Sequence, residues 1–234
     1  MRYFTKLTGY LLAVIVMSAL QAQASIVYYS FTSNTLFNGT AAWTNTLETA
    51  NIGSSISTFT INTLGASGAV TLPGGNLPQP DKVTLGYVAG NSVSYNNWAA
   101  GSSTSKYFQV TLDATGYSSI LLSYDLQRSA GGPKTNSVWL SLDGGATFTS
   151  YNQTFLSLAS AYGTFTNDLS ALTGGGVDNN ANVQIRFYPY LSNAGGTLRI
   201  DNITIDATVI PEPSTVLLAG AGLVGLLALR RRRS

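Results

Sequence analysis

The sequence contains neither cysteine nor histidine. Without cysteine there is no disulfide to staple the fold, no thiol nucleophile and no thiolate ligand for a metal. Without histidine there is no Ser-His-Asp relay and no histidine-bearing zinc or non-haem iron site. Charge is also scarce, at 9% of residues. Six of the 12 basic residues and one of the 10 acidic ones lie in two end segments, so residues 25–210 carry a net charge of −3. The basicity of the whole chain therefore belongs to its ends, and the middle lacks the electrostatic footprint of a nucleic-acid binder.

Helical periodicity is missing too. No stretch of residues 25–210 shows a capped apolar stripe of period 3.6, and the dominant period is two. Residues 106–112 and 119–127 read as strands, the second with Ile120, Leu122, Tyr124 and Leu126 on one face. Residues 137–142 alternate Val138, Leu140 and Leu142 against Trp139 and serines. Asp143-Gly144-Gly145 and residues 146–149 follow, a hairpin signal. Residues 182–190 set Val183, Ile185 and Phe187 against Gln184, Arg186 and Tyr188. Residues 198–209 form a long closing strand in which Ile200 is out of phase with Ile203 and Ile205, so a bulge is expected near Asp201-Asn202. Weaker strands are expected over 26–31, 56–61, 69–72 and 83–88. The class this implies is all-β, a jelly-roll-like antiparallel sandwich over residues 25–208.

The ends are of another kind. Arg2 and Lys6 precede a fourteen-residue apolar stretch, 7–20, and Ala22-Gln23-Ala24 supplies small residues at −3 and −1 of a signal-peptidase site. Residues 1–24 are read as a signal peptide, with Ala22 and Ala24 at the cleavage site and Ser25 as the mature start. At the other end, Pro211-Glu212-Pro213 precedes an apolar run over 215–229 and then Arg230, Arg231, Arg232 and Arg233. The two prolines keep the motif out of helix. As a helix the run is about 22 Å long against a hydrocarbon core of about 30 Å, a short anchor. The arginines resist crossing a bilayer and hold their end in the cytoplasm.

This tail, with its glycine-rich apolar run and arginine cluster, resembles the PEP-CTERM sorting signals of bacterial envelope proteins. The resemblance covers residues 209–234. It implies export, a pause in the inner membrane on a short transmembrane helix over 215–229, and processing by an exosortase near Pro211, Glu212 and Pro213. It also implies an association with exopolysaccharide at the cell surface or in the extracellular matrix. Leu142-Asp143-Gly144-Gly145 and the run 198–203 are similar to jelly-roll domains found ahead of such tails. The partners that follow are signal peptidase and the export machinery, the exosortase, the membrane and an exopolysaccharide, with no nucleic acid.

Catalysis finds little support. Glycoside hydrolysis needs only two carboxylates at a set separation. Glu48 is the only glutamate of the middle region, and Asp113, Asp143, Asp168 and Asp178 stand where turns favour them. The expectation is a non-enzymatic protein without a cofactor. A glycan-binding face is the alternative: outward positions would present Asp125, Gln127, Trp139, Gln184, Arg186, Tyr188 and Tyr190, rings beside polar hydrogen-bonders. Aromatic residues also favour strands for their own sake. Asp178 and Asp201, each followed by asparagine, offer oxygen ligands for a structural calcium, though such pairs equally serve turns.

Overall fold

The computed structural model describes residues 24–31, 46–49, 52–53, 55–62, 70–71, 91–96, 98, 106–155, 161–170, 176–190 and 196–211. Every regular element among them is a strand: β1 (Ala24–Tyr29), β2 (Thr46–Thr49), β3 (Ser57–Asn62), β4 (Val70–Thr71), β5 (Val93–Tyr95), β6 (Tyr107–Leu112), β7 (Tyr117–Arg128), β8 (Thr135–Ser141), β9 (Thr149–Phe155), β10 (Gly163–Asp168), β11 (Val183–Tyr190) and β12 (Leu198–Val209). They form two antiparallel sheets. One runs β10-β7-β12-β5-β4 with β1 also on β12, and the other runs β2-β3-β6-β11-β8-β9. The jelly-roll-like sandwich is what the two-residue period dictates.

Alternation explains which faces meet. Val183, Ile185 and Phe187 of β11 are buried against Ile120, Leu122 and Tyr124 of β7 and Ile203 and Ile205 of β12 in one continuous core. Aromatic rings fill its middle: Phe59 lies 5.9 Å from Phe108, and Tyr124 lies 4.8 Å from Phe187. Each such side chain contributes about 1.5–3 kcal/mol by leaving water, and with no disulfide this burial must carry the fold.

The expected bulge is present in β12. Asp201 pairs with Asp125 and Thr204 with Ser123, so the register slips between them. Asn202 takes the left-handed conformation there, with φ of 47°. The slip brings Ile200, Ile203 and Ile205 all to the core, which an unbroken strand cannot do. A polar network pins it. The Tyr28 hydroxyl donates to Asn202 Oδ1 at 2.9 Å, Asn202 Nδ2 donates to Asp125 Oδ2 at 2.8 Å, and Thr164 Oγ1 donates to Asp125 Oδ1 at 2.6 Å.

Some boundaries differ from the sequence expectation. The return arm of the β8–β9 hairpin begins at Thr149 and not at residue 146, because Asp143 caps the turn through the Thr147 amide at 3.0 Å. Gly144 and Gly145 supply the positive φ values, 74° and 99°. β10 and β5 were not expected: β10 buries little, and β5 is only three residues long. β12 covers Leu198–Val209, the range expected for the closing strand. The expectations for Ala22 and the rest of 1–23, for a strand over 83–88, for Glu212 and Pro213, for the helix 215–229 and for Arg230 to Arg233 lie outside the described residues. Among the described residues no helix is long and apolar enough to cross a membrane.

Asn202→Ala should lower the unfolding free energy by about 2–4 kcal/mol, since it takes partners from buried Tyr28 and Asp125 and strains the left-handed position. Asn202→Gly keeps the backbone and should recover about 1 kcal/mol of that loss. Urea unfolding of the two variants beside the unaltered chain checks both values, and equal losses would show the backbone conformation to be irrelevant.

Candidate functional site

The outer face of the second sheet is built by the residues that alternate with the core set. On β6, β11 and β8 these are Gln109, Arg186 and Trp139, which pair across the three strands. Two residues further along, Tyr188 pairs with Ser137. The rings and the guanidinium lock together. Arg186 lies 4.1 Å from the Tyr107 ring centre and 3.7 Å from that of Phe148, so aromatic rings flank its plane. Its Nε donates to Gln109 Oε1 at 2.7 Å and its Nη1 to the Tyr188 hydroxyl at 3.1 Å. Tyr188 in turn meets Tyr107 and Trp139 edge-on, at 5.3 and 5.6 Å.

This packing has an unusual result for an outward residue: Tyr188 is only 3% exposed. Burial pushes its phenol above the ordinary value of 10.0, while the hydrogen bond and charge of Arg186 pull the other way. Trp139 stays half-buried, its Nε1 donating to Ser137 Oγ at 2.9 Å, which fixes the indole plane. Beside this cluster, toward the β6–β7 turn, lies an open cleft of about 400 Å³ lined by Thr58, Thr111, Gln184, Asp113, Asn182 and Gly144.

The structure thus brings Trp139, Arg186 and Tyr188 together and separates Asp125 from them. Asp125 belongs to β7, in the other sheet, and is 0% exposed, held by Thr164 and Asn202. Its placement on an exposed glycan face is corrected: alternation gave the right side of the sheet, but that side is covered at this point. Gln127 lies on the same strand, accepting from Arg199 Nη1 at 2.9 Å. Phe148, Tyr107 and Gln109 join the cluster without having been singled out. Tyr107 and Gln109 were readable as positions that alternate with Phe108, Val110 and Leu112, whereas Phe148 arrives only through the hairpin turn.

Asp125 and Asp201 face each other across β7 and β12, a carboxylate pair that spacing along the sequence could not reveal. Both are fully buried, and Asp201 Oδ1 accepts the Asn202 amide at 2.7 Å. Asp178 sits elsewhere and spends its carboxylate on the Ser119 and Ile120 amides, at 3.1 and 3.4 Å. The two calcium candidates therefore do not converge, and among the described residues no three Asp, Glu, His or Cys side chains form a metal-holding group.

Residues 209–233 match the family model of the PEP-CTERM protein-sorting motif. The chain is thus a β-sandwich followed directly by a sorting signal of that kind. No curated protein matches the sequence. Among solved structures, the N-terminal cellulose-binding domain of Cellulomonas fimi β-1,4-glucanase C is similar at a TM-score of 0.35 and 18% identity, over 53% of this chain and 84% of that one. The K3 cleaved adhesin domain of Lys-gingipain from Porphyromonas gingivalis gives 0.39 and 10%, over 79% and 99%. The CBM22-1–GH10 modules of Clostridium thermocellum xylanase 10B, complexed with xylohexaose, give 0.42 and 9%, over 82% and 30%.

The titrating groups set a pH range. The Ser141 hydroxyl, then the Thr147 hydroxyl and amide, hold the Asp143 carboxyl well below its ordinary 3.8, and Thr115 lowers Asp113. Burial raises the phenols of Tyr188, Tyr95 and Tyr162 above 10.0. The depressed carboxyls contribute stability that is present above pH 3.8 and lost as the pH falls below it. The raised phenols favour the fold below pH 10.0, and that advantage is lost as the pH climbs beyond it. With no histidine between them, the unfolding free energy should be level from about pH 5 to pH 9 and fall on either side. Urea titrations across that range check it, and a slope near neutral pH would contradict it.

Proposed function

We propose that this is an exported, non-catalytic envelope protein whose β-sandwich is delivered to its place by the C-terminal signal. A Sec-type route exports the chain, signal peptidase cuts after Ala24, and the apolar run 215–229 halts it in the inner membrane. Arg230 to Arg233 keep the last residues cytoplasmic. An exosortase then acts at Pro211, Glu212 and Pro213 and passes the sandwich to the cell surface or to an extracellular, exopolysaccharide-containing matrix. The observation that carries this reading is the junction. The matched motif starts on Val209, the last residue of β12, and Pro211 follows as an exposed residue. The non-catalytic reading is supported by the sites themselves: among the described residues, no carboxylate belongs to the Trp139–Arg186–Tyr188 cluster, and the Asp125–Asp201 pair is closed from solvent.

Intact-mass analysis of the protein from its native host tests this. The expected product begins at Ser25 and ends within or next to 211–213, and Glu212→Ala should accumulate in the inner membrane with residues 215–234 still attached. A cytosolic chain retaining residues 1–234 would refute the proposal.

A second reading, a surface carbohydrate-binding module, is favoured by one observation: Trp139 is partly open and its plane is fixed by Ser137, as stacking on a sugar ring requires. Trp139→Ala should weaken binding of soluble matrix glycans about tenfold in calorimetry. An unchanged affinity would dispose of this reading.

A further inference from the structure

The two ends of the sandwich leave from the same pole. In β1 and β12, Ser25, the first residue after the proposed cleavage, pairs with Asp206, whose carboxylate accepts the Ser25 hydroxyl at 2.5 Å. Three residues after Ala207, the Ile210 amide donates to Gly116 O at 2.7 Å. The turns gathered at this pole brace one another. Ala114 N donates to Asn180 O, Asn179 N to Tyr117 O, and Gly144 N to Asn182 O, at 2.8 to 3.0 Å. Among the described residues, Val209 and Ile210 are the exposed large hydrophobic residues, at 58% and 37%, and both lie here.

Only residues 211–214 separate Ile210 from the apolar run. Fully extended, four residues span about 14 Å. A headgroup layer takes roughly 5–8 Å of that. β7, twelve residues from Tyr117 to Arg128, sets the height of the sandwich, about 36 Å at the usual rise. The tether is far too short for the opposite pole to take this pole's place against the bilayer while the tail is inserted.

We infer that the pole formed by the turns at 113–116, 142–145 and 178–182 is a membrane-facing surface, seated against the lipid headgroups. The opposite pole, around Arg128 to Lys134, points outward. This rests on the tail spanning the membrane, as proposed above. Charge does not favour the arrangement: Asp113, Asp143 and Asp178 lie at the lipid-facing pole, and Lys106, Arg128, Lys134 and Arg199 lie at the other. The steric limit prevails: the outer cations stand several times the screening length of about 8 Å from the lipid and cannot invert the sandwich, and the inserted tail holds the near carboxylates in place against their repulsion. The Trp139–Arg186–Tyr188 face then stands on a flank, with its cleft nearest the bilayer and Tyr188 farther out.

The absence of native cysteine makes the test direct. Thr115→Cys and Ala130→Cys place single labels on exposed turns just outside the two ends of β7, with Ala181→Cys and Lys134→Cys as second choices at the same poles. Each variant, in the proposed exported form spanning residues 25–234, is reconstituted into phosphatidylethanolamine–phosphatidylglycerol vesicles that contain an acceptor-labelled lipid, and energy transfer is read. Transfer should be several-fold higher from Thr115→Cys and Ala181→Cys than from Ala130→Cys and Lys134→Cys. Equal or inverted transfer in protein that floats with the vesicles would overturn the orientation while leaving membrane insertion intact. Protein that fails to float with the vesicles would overturn both.

Discussion

The final strand, β12, is the constraint on which the rest depends. It pairs with β7 along its length and with β5 and β1 on its other side, so it holds the first sheet together. It can do so because it bulges at Asn202: without the slip, the isoleucines on the two sides of the bulge could not all face the core. The cost of a left-handed asparagine is offset by a side chain that hydrogen-bonds two neighbouring strands. Order in this sheet and the start of the sorting signal therefore depend on the same twelve residues.

The second sheet has a different kind of outer face. Its aromatic and arginine side chains stack and cross, and they hydrogen-bond to one another and to Gln109 and Ser137. A lysine at position 186 could not reproduce this, because a point charge lacks both the plane and the fork. Among the described residues, the resulting surface offers rings, amides and a guanidinium held in a fixed mutual arrangement.

The fold class was legible because alternation over residues 119–127, 182–190 and 198–209 leaves no competing period. The bulge was legible because three isoleucines fell out of step. β10 was not, since threonines, asparagine and aspartate around a single phenylalanine leave too little apolar contrast. For the candidate face, alternation gave the side correctly for Trp139, Arg186 and Tyr188. It said nothing of which sheet a strand would join or of what lies over it, and for that reason Asp125 was misplaced. The Asp125–Asp201 pairing depends on residues 76 positions apart, a relation that only strand register creates.

The pairing of β1 with β12 joins residues 181 positions apart, from Ser25 to Asp206. β12 follows every other strand of the first sheet along the chain, so that sheet cannot close before residues 198–209 are made. In an exported chain it would cross as an open polymer. Should the run 215–229 halt the chain as proposed, the polypeptide is arrested when that strand has just emerged, and delivery and the completion of folding become nearly one event in time.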